Sequence, residues 1–158
     1  MDDDHRKPAA KSFLHILVGI ETGIIGGLAM LAWFALVTPL LGKPWWLIPN
    51  LLASKIYPER YVLLGPGVVT LVGAAYLLLA AAILGIVNGL LTPGGRLFGL
   101  AVAATSYAFC YLFVWKKLAP LMLVYGPQPI VIAAFFLYGS AIGWHPHLLE
   151  IARERATE

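Results

Sequence analysis

Apolar residues fall in four long runs, separated by short clusters of proline, glycine and charge. The first, residues 13–41, holds one acid, Glu21, and glycines at 19, 23, 26 and 27. At about 1.5 Å of helical rise per residue it exceeds the roughly 30 Å hydrocarbon core of a bilayer. A second run covers about 66–91 and a third about 97–115, where Lys116 and Lys117 stop it. The fourth, about 121–144, is punctuated by Pro120, Pro127 and Pro129. Residues 121–125 therefore read as an interfacial turn or kinked entry before the clean run 130–144. The predicted architecture is all-α: a polytopic bundle of four transmembrane helices, with an interfacial amphipathic segment, 42–65, between the first two.

The linker TPGGR, 92–96, is short enough to join only antiparallel neighbours. Residues 1–12 form a polar tail, and Pro146 opens a charged amphipathic tail, 145–158, predicted as a short surface helix. The basic start resembles a signal sequence. Its apolar segment, however, is about twice the length of a signal core and lacks a small-x-small cleavage site, so it reads as a retained span. The two halves show no related pattern of the kind an inverted-repeat transporter carries.

Composition sharpens this reading. Only 12% of the 158 residues are charged and 60% are hydrophobic, against about 25% charge in an ordinary soluble domain. Such a surface needs lipid as its solvent. The net charge of +3 does not point to nucleic acid, because the cations stand in ones and twos at the ends of apolar runs. Cys110 is the single cysteine, so no intramolecular disulfide forms.

Four spans put both termini on one side, with Arg6, Lys7, Lys11, Arg96, Arg153 and Arg155. The opposite side holds Lys43, Lys55, Arg60, Lys116 and Lys117. Six against five, with the first flank weighing most, favours cytoplasmic termini. Trp45, Trp46, Tyr57, Tyr61, Trp115 and Tyr125 fall at the loop face as an interfacial aromatic belt.

Gly19, Gly23 and Gly27 recur every four residues, and Ala81, Gly85 and Gly89 do the same on the second span. Small residues let helix backbones approach closely in lipid. A depth count sets Gly85 level with Gly19 and Ala81 level with Gly23, so spans one and two are expected to pack there. The same stripes also suit a second copy or another subunit.

Glu21 lies roughly 12 Å along the helix from the start of its span, and an intramembrane acid is a functional candidate by default. One reading is a proton or cation relay, or a salt bridge to a partner subunit. The other is a hydrogen-bonded glutamate inside the bundle against Thr105, Ser106 or Tyr107, which a depth count on span three puts at its level. No Lys, Arg or second acid lies within another span to complete a relay. Asn88 is expected to make an inter-helix or interfacial hydrogen bond.

His15, His145 and His147 gather at the tail face and outline a haem or pigment site at most; a zinc site needs three or four convergent ligands. Solvated interfacial histidines, His5 among them, are the simpler reading. No phosphate-cradling glycine loop, HExxH, CxxC or nucleophile elbow is present. Asp2–Asp4, Glu150 and Glu154 read as solvated charge, leaving no paired acids for hydrolysis.

The 42–65 segment carries Trp45-Trp46 and then IPNLLASKIYPE, a pattern for a flat helix turning Ile48, Leu51, Leu52 and Ile56 toward lipid or the bundle. A glycine-rich first span followed by PWWLIPNLLASKIYP resembles small four-span bacterial inner-membrane proteins, grouped mostly as uncharacterised families. The resemblance covers about residues 19–92 and implies a bacterial inner-membrane location, with no activity and no functional residues. The expectation is a non-catalytic accessory or structural subunit that contacts lipid and other membrane proteins. The alternatives are a small oligomeric transporter or channel component acting through Glu21, and a membrane enzyme or pigment protein using the histidines.

Overall fold

A computed structural model of the chain describes residues 6–91 and 96–155. Every regular element among them is helical. Four helical stretches are long and apolar enough to cross a membrane: Phe13–Leu40, Val68–Leu91, Leu97–Leu118 and Gln128–Ile151. The protein is an all-α membrane protein built on four such helices.

The first helix, α1 (Arg6–Leu40), begins within the expected polar tail and runs 35 residues, about 52 Å at helical rise. Its end is set by chemistry. Gly42 adopts φ +70, its N–H donates to the Pro39 carbonyl at 2.9 Å, and the Lys43 N–H donates to Thr38 at 3.2 Å. This paired closure satisfies carbonyls that a helix terminus leaves bare, and its left-handed residue favours glycine.

The 42–65 segment holds two short helices where the pattern predicts one, and Ile48 and Leu51 take the bundle-facing alternative. It folds inward as α2 (Leu47–Leu52) and α3 (Glu59–Val62). Ile48 and Leu51 are wholly buried, whereas Ile56 stays exposed. α2 lies against α4 (Val68–Leu91), and the Pro49 carbonyl occupies the place a side chain would take on Gly73. The segment is a plug seated in the loop-side end of the bundle.

The third crossing departs from one regular helix. α5 (Arg96–Phe109) passes into a π-helical turn, Cys110–Val114, and then α6 (Trp115–Leu118). It thus continues past Lys116 and Lys117, a turn beyond the expected stop. The prolines divide the next stretch of chain into α7 (Leu121–Tyr125) and α8 (Gln128–Ile142). The charged C-terminal stretch forms α9 (His145–Arg155). α9 packs against α1 with Leu149 buried, while Pro146, His147 and Glu150 stay exposed.

Helix order across the bundle is α4, α1, α8, α5, because α1 packs on both α4 and α8 while α8 packs on α5. α4 and α5 are consecutive in the chain but barely touch among the described residues. The antiparallel neighbours expected from the TPGGR linker are therefore splayed; residues 92–95 lie outside the described residues. Three glycine-mediated crossings explain the order. A Cβ on Gly19 would stand 2.6 Å from the Gly85 carbonyl oxygen, and one on Gly23 would meet the Ala81 carbonyl. On a second face of α1, a Cβ on Gly26 would stand 2.6 Å from Cδ2 of Tyr138. Gly99 and Gly139 meet backbone to backbone where α5 crosses α8.

Candidate functional site

α1 presents three sides. The Gly19, Gly23 and Gly27 stripe faces α4, where Ala81 and Gly85 receive it; Gly89 is also buried on α4. The Gly26 side faces α8. Two side chains tie these contacts: the Tyr138 hydroxyl donates to the Ala81 carbonyl at 2.9 Å, and the Trp33 indole donates to the Ile130 carbonyl at 3.0 Å. With these two sides occupied, Glu21 lies on a third, which is exposed among the described residues.

Glu21 is exposed. Leu17, Ile25 and Leu28, at i−4, i+4 and i+7, are exposed with it. The alternative that buries Glu21 against Thr105, Ser106 or Tyr107 is incorrect, because α5 reaches the bundle through α8 and not through α1. Residues two apart on a helix diverge by roughly 200°. A helix that turns Gly19 and Gly23 inward therefore turns Glu21 outward.

The other intramembrane polar residues split into two groups. Asn88, Thr105 and Ser106 line one cleft of about 360 Å³ between α4 and α5. Asn88 donates to its own helix at the Leu84 carbonyl, 2.7 Å away. Tyr107 turns elsewhere: its hydroxyl donates to Oε1 of Gln128 at 3.1 Å, and its ring meets Trp115 and Phe135 edge-on at 5.7 and 5.6 Å.

The aromatic belt needs one correction. Trp115 is buried at 3% exposure, and packs edge-on against Tyr111 as well. The π-helical turn just before it shifts the register in which its side chain leaves the helix. Trp45 and Tyr61 are exposed, Trp46 and Tyr57 are half-buried against the core, and the Arg60 guanidinium stacks over Tyr61 at 4.7 Å. The Tyr125 hydroxyl donates to Glu59 Oε1 at 2.6 Å, joining α7 to α3. That hydrogen bond, and the charge of Glu59, raise the phenol above its ordinary pKa.

His15 is half-buried and His147 exposed; the side chain of His145, and all of His5, lie outside the described residues. Among the described residues no group of three or more His, Cys, Asp or Glu side chains gathers as metal ligands.

Two features are absent from the sequence-based expectations. Asn50 is completely buried and organises the plug: its amide donates to the Val62 and Gly65 carbonyls at 2.9 Å each, and its oxygen accepts from Thr70 at 2.6 Å. An asparagine inside the otherwise apolar α2 stretch LIPNLL is the signal that identifies it. The second is a cavity of about 140 Å³ between α4 and the π-helical turn, floored by Phe34 of α1 and Phe135 of α8. Nothing in the spacing of apolar residues encodes it, because it arises from the splaying of α4 from α5.

The fold and these sites define an integral membrane protein with an outward-facing acid and a laterally open bundle. No protein-family model, curated protein or solved structure matches the chain.

Proposed function

We propose that the protein is a non-catalytic accessory subunit of the bacterial inner membrane that packs against another membrane protein through the Glu21 side of α1. The observation that carries this reading is the exposed carboxyl of Glu21 on an apolar helix face at bilayer depth. A polar group facing acyl chains is costly, and residues of this kind face protein or water in assembled membrane complexes. A neighbouring helix that offers a donor or a cation at that level, and small or branched residues to Leu17, Ile25 and Leu28, satisfies both requirements. The membrane-inserted fold and the resemblance to small four-span inner-membrane proteins support the location. The six-to-five cation count supports cytoplasmic termini; alkaline phosphatase fused at residue 158, inactive if the end is cytoplasmic, tests that orientation.

Site-specific photo-crosslinking in native membranes tests the partner. A benzoyl-phenylalanine at Leu28 gives one discrete adduct with another membrane protein, and one at Leu71, exposed on α4, does not. The adduct disappears in Glu21→Leu and persists in Glu21→Gln. Lipid adducts alone at both positions would refute the reading. A crosslink between two copies of this chain would instead favour the oligomeric transport alternative, with Glu21 at its own interface.

A further inference from the structure

The cavity between α4 and the π-helical turn has a chemistry that matches one class of ligand. Its volume of about 140 Å³ is close to the ~150 Å³ at which apolar protein cavities stay dry and admit a benzene-sized guest. Its inner wall is Met30, Phe34, Leu77 and Phe135, groups that offer nothing to hydrogen-bond. Tyr76, Cys110, Trp115 and Lys55 bring the few polar atoms of an otherwise apolar lining, so a water inside would be poorly partnered. Acyl methylenes would lack nothing.

Access is from the side. Tyr76 and Leu118 flank the cavity and are themselves 44% and 51% exposed, and α4 and the third crossing do not close over it. Tyr76 and Ala80 of α4 and Cys110 and Val114 of the π-helical turn form the two lips. A π-helical turn carries an extra residue per turn, and such segments recur where helices shape binding sites. Here Cys110 and Val114 of that turn line the cavity opposite α4.

One cation stands at the mouth. Lys55 lines the cavity and is exposed at the loop-side face, and no carboxylate pairs with it among the described residues. The loop face as a whole holds five cations, Lys43, Lys55, Arg60, Lys116 and Lys117, against the single acid Glu59. An ammonium at the headgroup level above a dry apolar slot is a pattern for an anionic amphiphile: a chain in the slot, its charged head on the ammonium.

We infer that the cavity between α4 and the π-helical turn binds the acyl chain of an anionic lipid, whose carboxylate or phosphate head is held by Lys55. This ligand site is separate from the Glu21 face and does not depend on a protein partner.

The full-length protein, delipidated in detergent, is offered dioleoyl phosphatidylglycerol, dioleoyl phosphatidylcholine or oleate, and retained adducts are counted by native mass spectrometry. The wild type retains phosphatidylglycerol or oleate in preference to phosphatidylcholine; which of the two remains bound tells a phospholipid from a free fatty acid. Lys55→Ala reduces the preference for the anionic lipid about fivefold, the worth of one interfacial cation. Ala80→Phe, at an exposed position on the cavity lip, removes retention of every acyl ligand. Its circular dichroism melt should match that of the wild type, which separates a filled slot from a misfolded protein. If Ala80→Phe is misfolded, Ala80→Leu with Leu77→Phe repeats the test. Equal retention of phosphatidylcholine and phosphatidylglycerol by the wild type, or undiminished retention by folded, cavity-filled variants, would overturn the inference.

Discussion

Asn50 is the residue whose loss should most selectively release the plug. It makes three hydrogen bonds: two donated, to Val62 and Gly65, and one accepted from Thr70. Asn50→Ala removes all three. The Gly65 carbonyl is only partly buried, so water can replace one partner. The Val62 carbonyl and the Thr70 hydroxyl are left in an interior where Val62 is wholly buried and Thr70 nearly so. An orphaned buried polar group costs about 1–3 kcal/mol, so two such groups give about 3 kcal/mol in total. Thr70→Val, which unpairs the Asn50 oxygen and the Gly67 N–H, costs about 2 kcal/mol on the same scale. Because the two variants share one hydrogen bond, the double variant falls short of their sum by about 1 kcal/mol. Reversible unfolding in mixed micelles, followed by circular dichroism, measures all three. Hydrogen exchange adds the spatial test: residues 50–65 lose protection in Asn50→Ala while the α5–α8 crossing keeps it. An Asn50→Ala variant within about 1 kcal/mol of wild type, or strict additivity in the double variant, would refute the claim that this side chain holds the plug.

Three other perturbations probe the same geometry. Gly23→Val forces methyl groups into the Ala81 backbone; an overpacked helix crossing loses about 3 kcal/mol, read in the same unfolding assay, and a stable variant would mean that α1 and α4 do not cross there. Tyr138→Phe deletes the bond to the Ala81 carbonyl with little change in shape, for a loss of about 1 kcal/mol; a loss above about 3 kcal/mol would indicate a role beyond that bond. The raised phenol pKa of Tyr125 has a definite sign. Its bond to Glu59 contributes fully below the ordinary tyrosine pKa of about 10 and is lost as pH rises through the higher folded value. Phenolate absorbance, taken as the difference between wild type and Tyr125→Phe, gives that titration, and Glu59→Gln moves it down toward the ordinary value; an unmoved midpoint would show that Glu59 is not the cause.

Hydrophobic run length suffices for the four crossings, because in lipid a helix must satisfy its own backbone and about 20 apolar residues leave few alternatives. The spacing of Gly19, Gly23, Ala81 and Gly85 is readable for the related reason that close backbone approach demands small residues. The Gly99–Gly139 crossing uses the same language, with Ala103 four residues after Gly99, but in a stripe shorter than that of α1. For Glu21 the depth along the helix misleads, and the angular position relative to Gly19 and Gly23 holds the answer. The burial of Trp115 and the cavity are not legible. Both depend on a π-helical turn, whose extra residue has no sequence signature in CYLFV, and on a splay between α4 and α5 that results from contacts of each with other helices. The inward fold of 42–65 is half legible: its apolar residues stand out, while the choice between lipid and bundle rests on Asn50.

The same helix order that opens the cavity also isolates Glu21. α1 sits between α4 and α8 and turns two of its sides to them, and among the described residues the side that carries Glu21 stays exposed. α4 and α5 sit at the two ends of the row, each with a face toward the other and neither bridging the gap. Closing that gap would require α5 to leave its glycine crossing with α8, where Gly99 and Gly139 are already at backbone contact, and no small-residue stripe of comparable spacing on α4 remains free to receive it. The opening is thus fixed by the tight crossings elsewhere and is not a loose end of the packing. It follows that a substitution able to close α4 onto α5 must first weaken α5–α8. A bulky residue at Gly139, which a Cβ would drive to 2.6 Å from the Ala103 methyl, should therefore change the lipid-retention profile while leaving crosslinking from the Glu21 side intact. Loss of both together would mean that the two faces are coupled through α8, against the separation argued from the helix order.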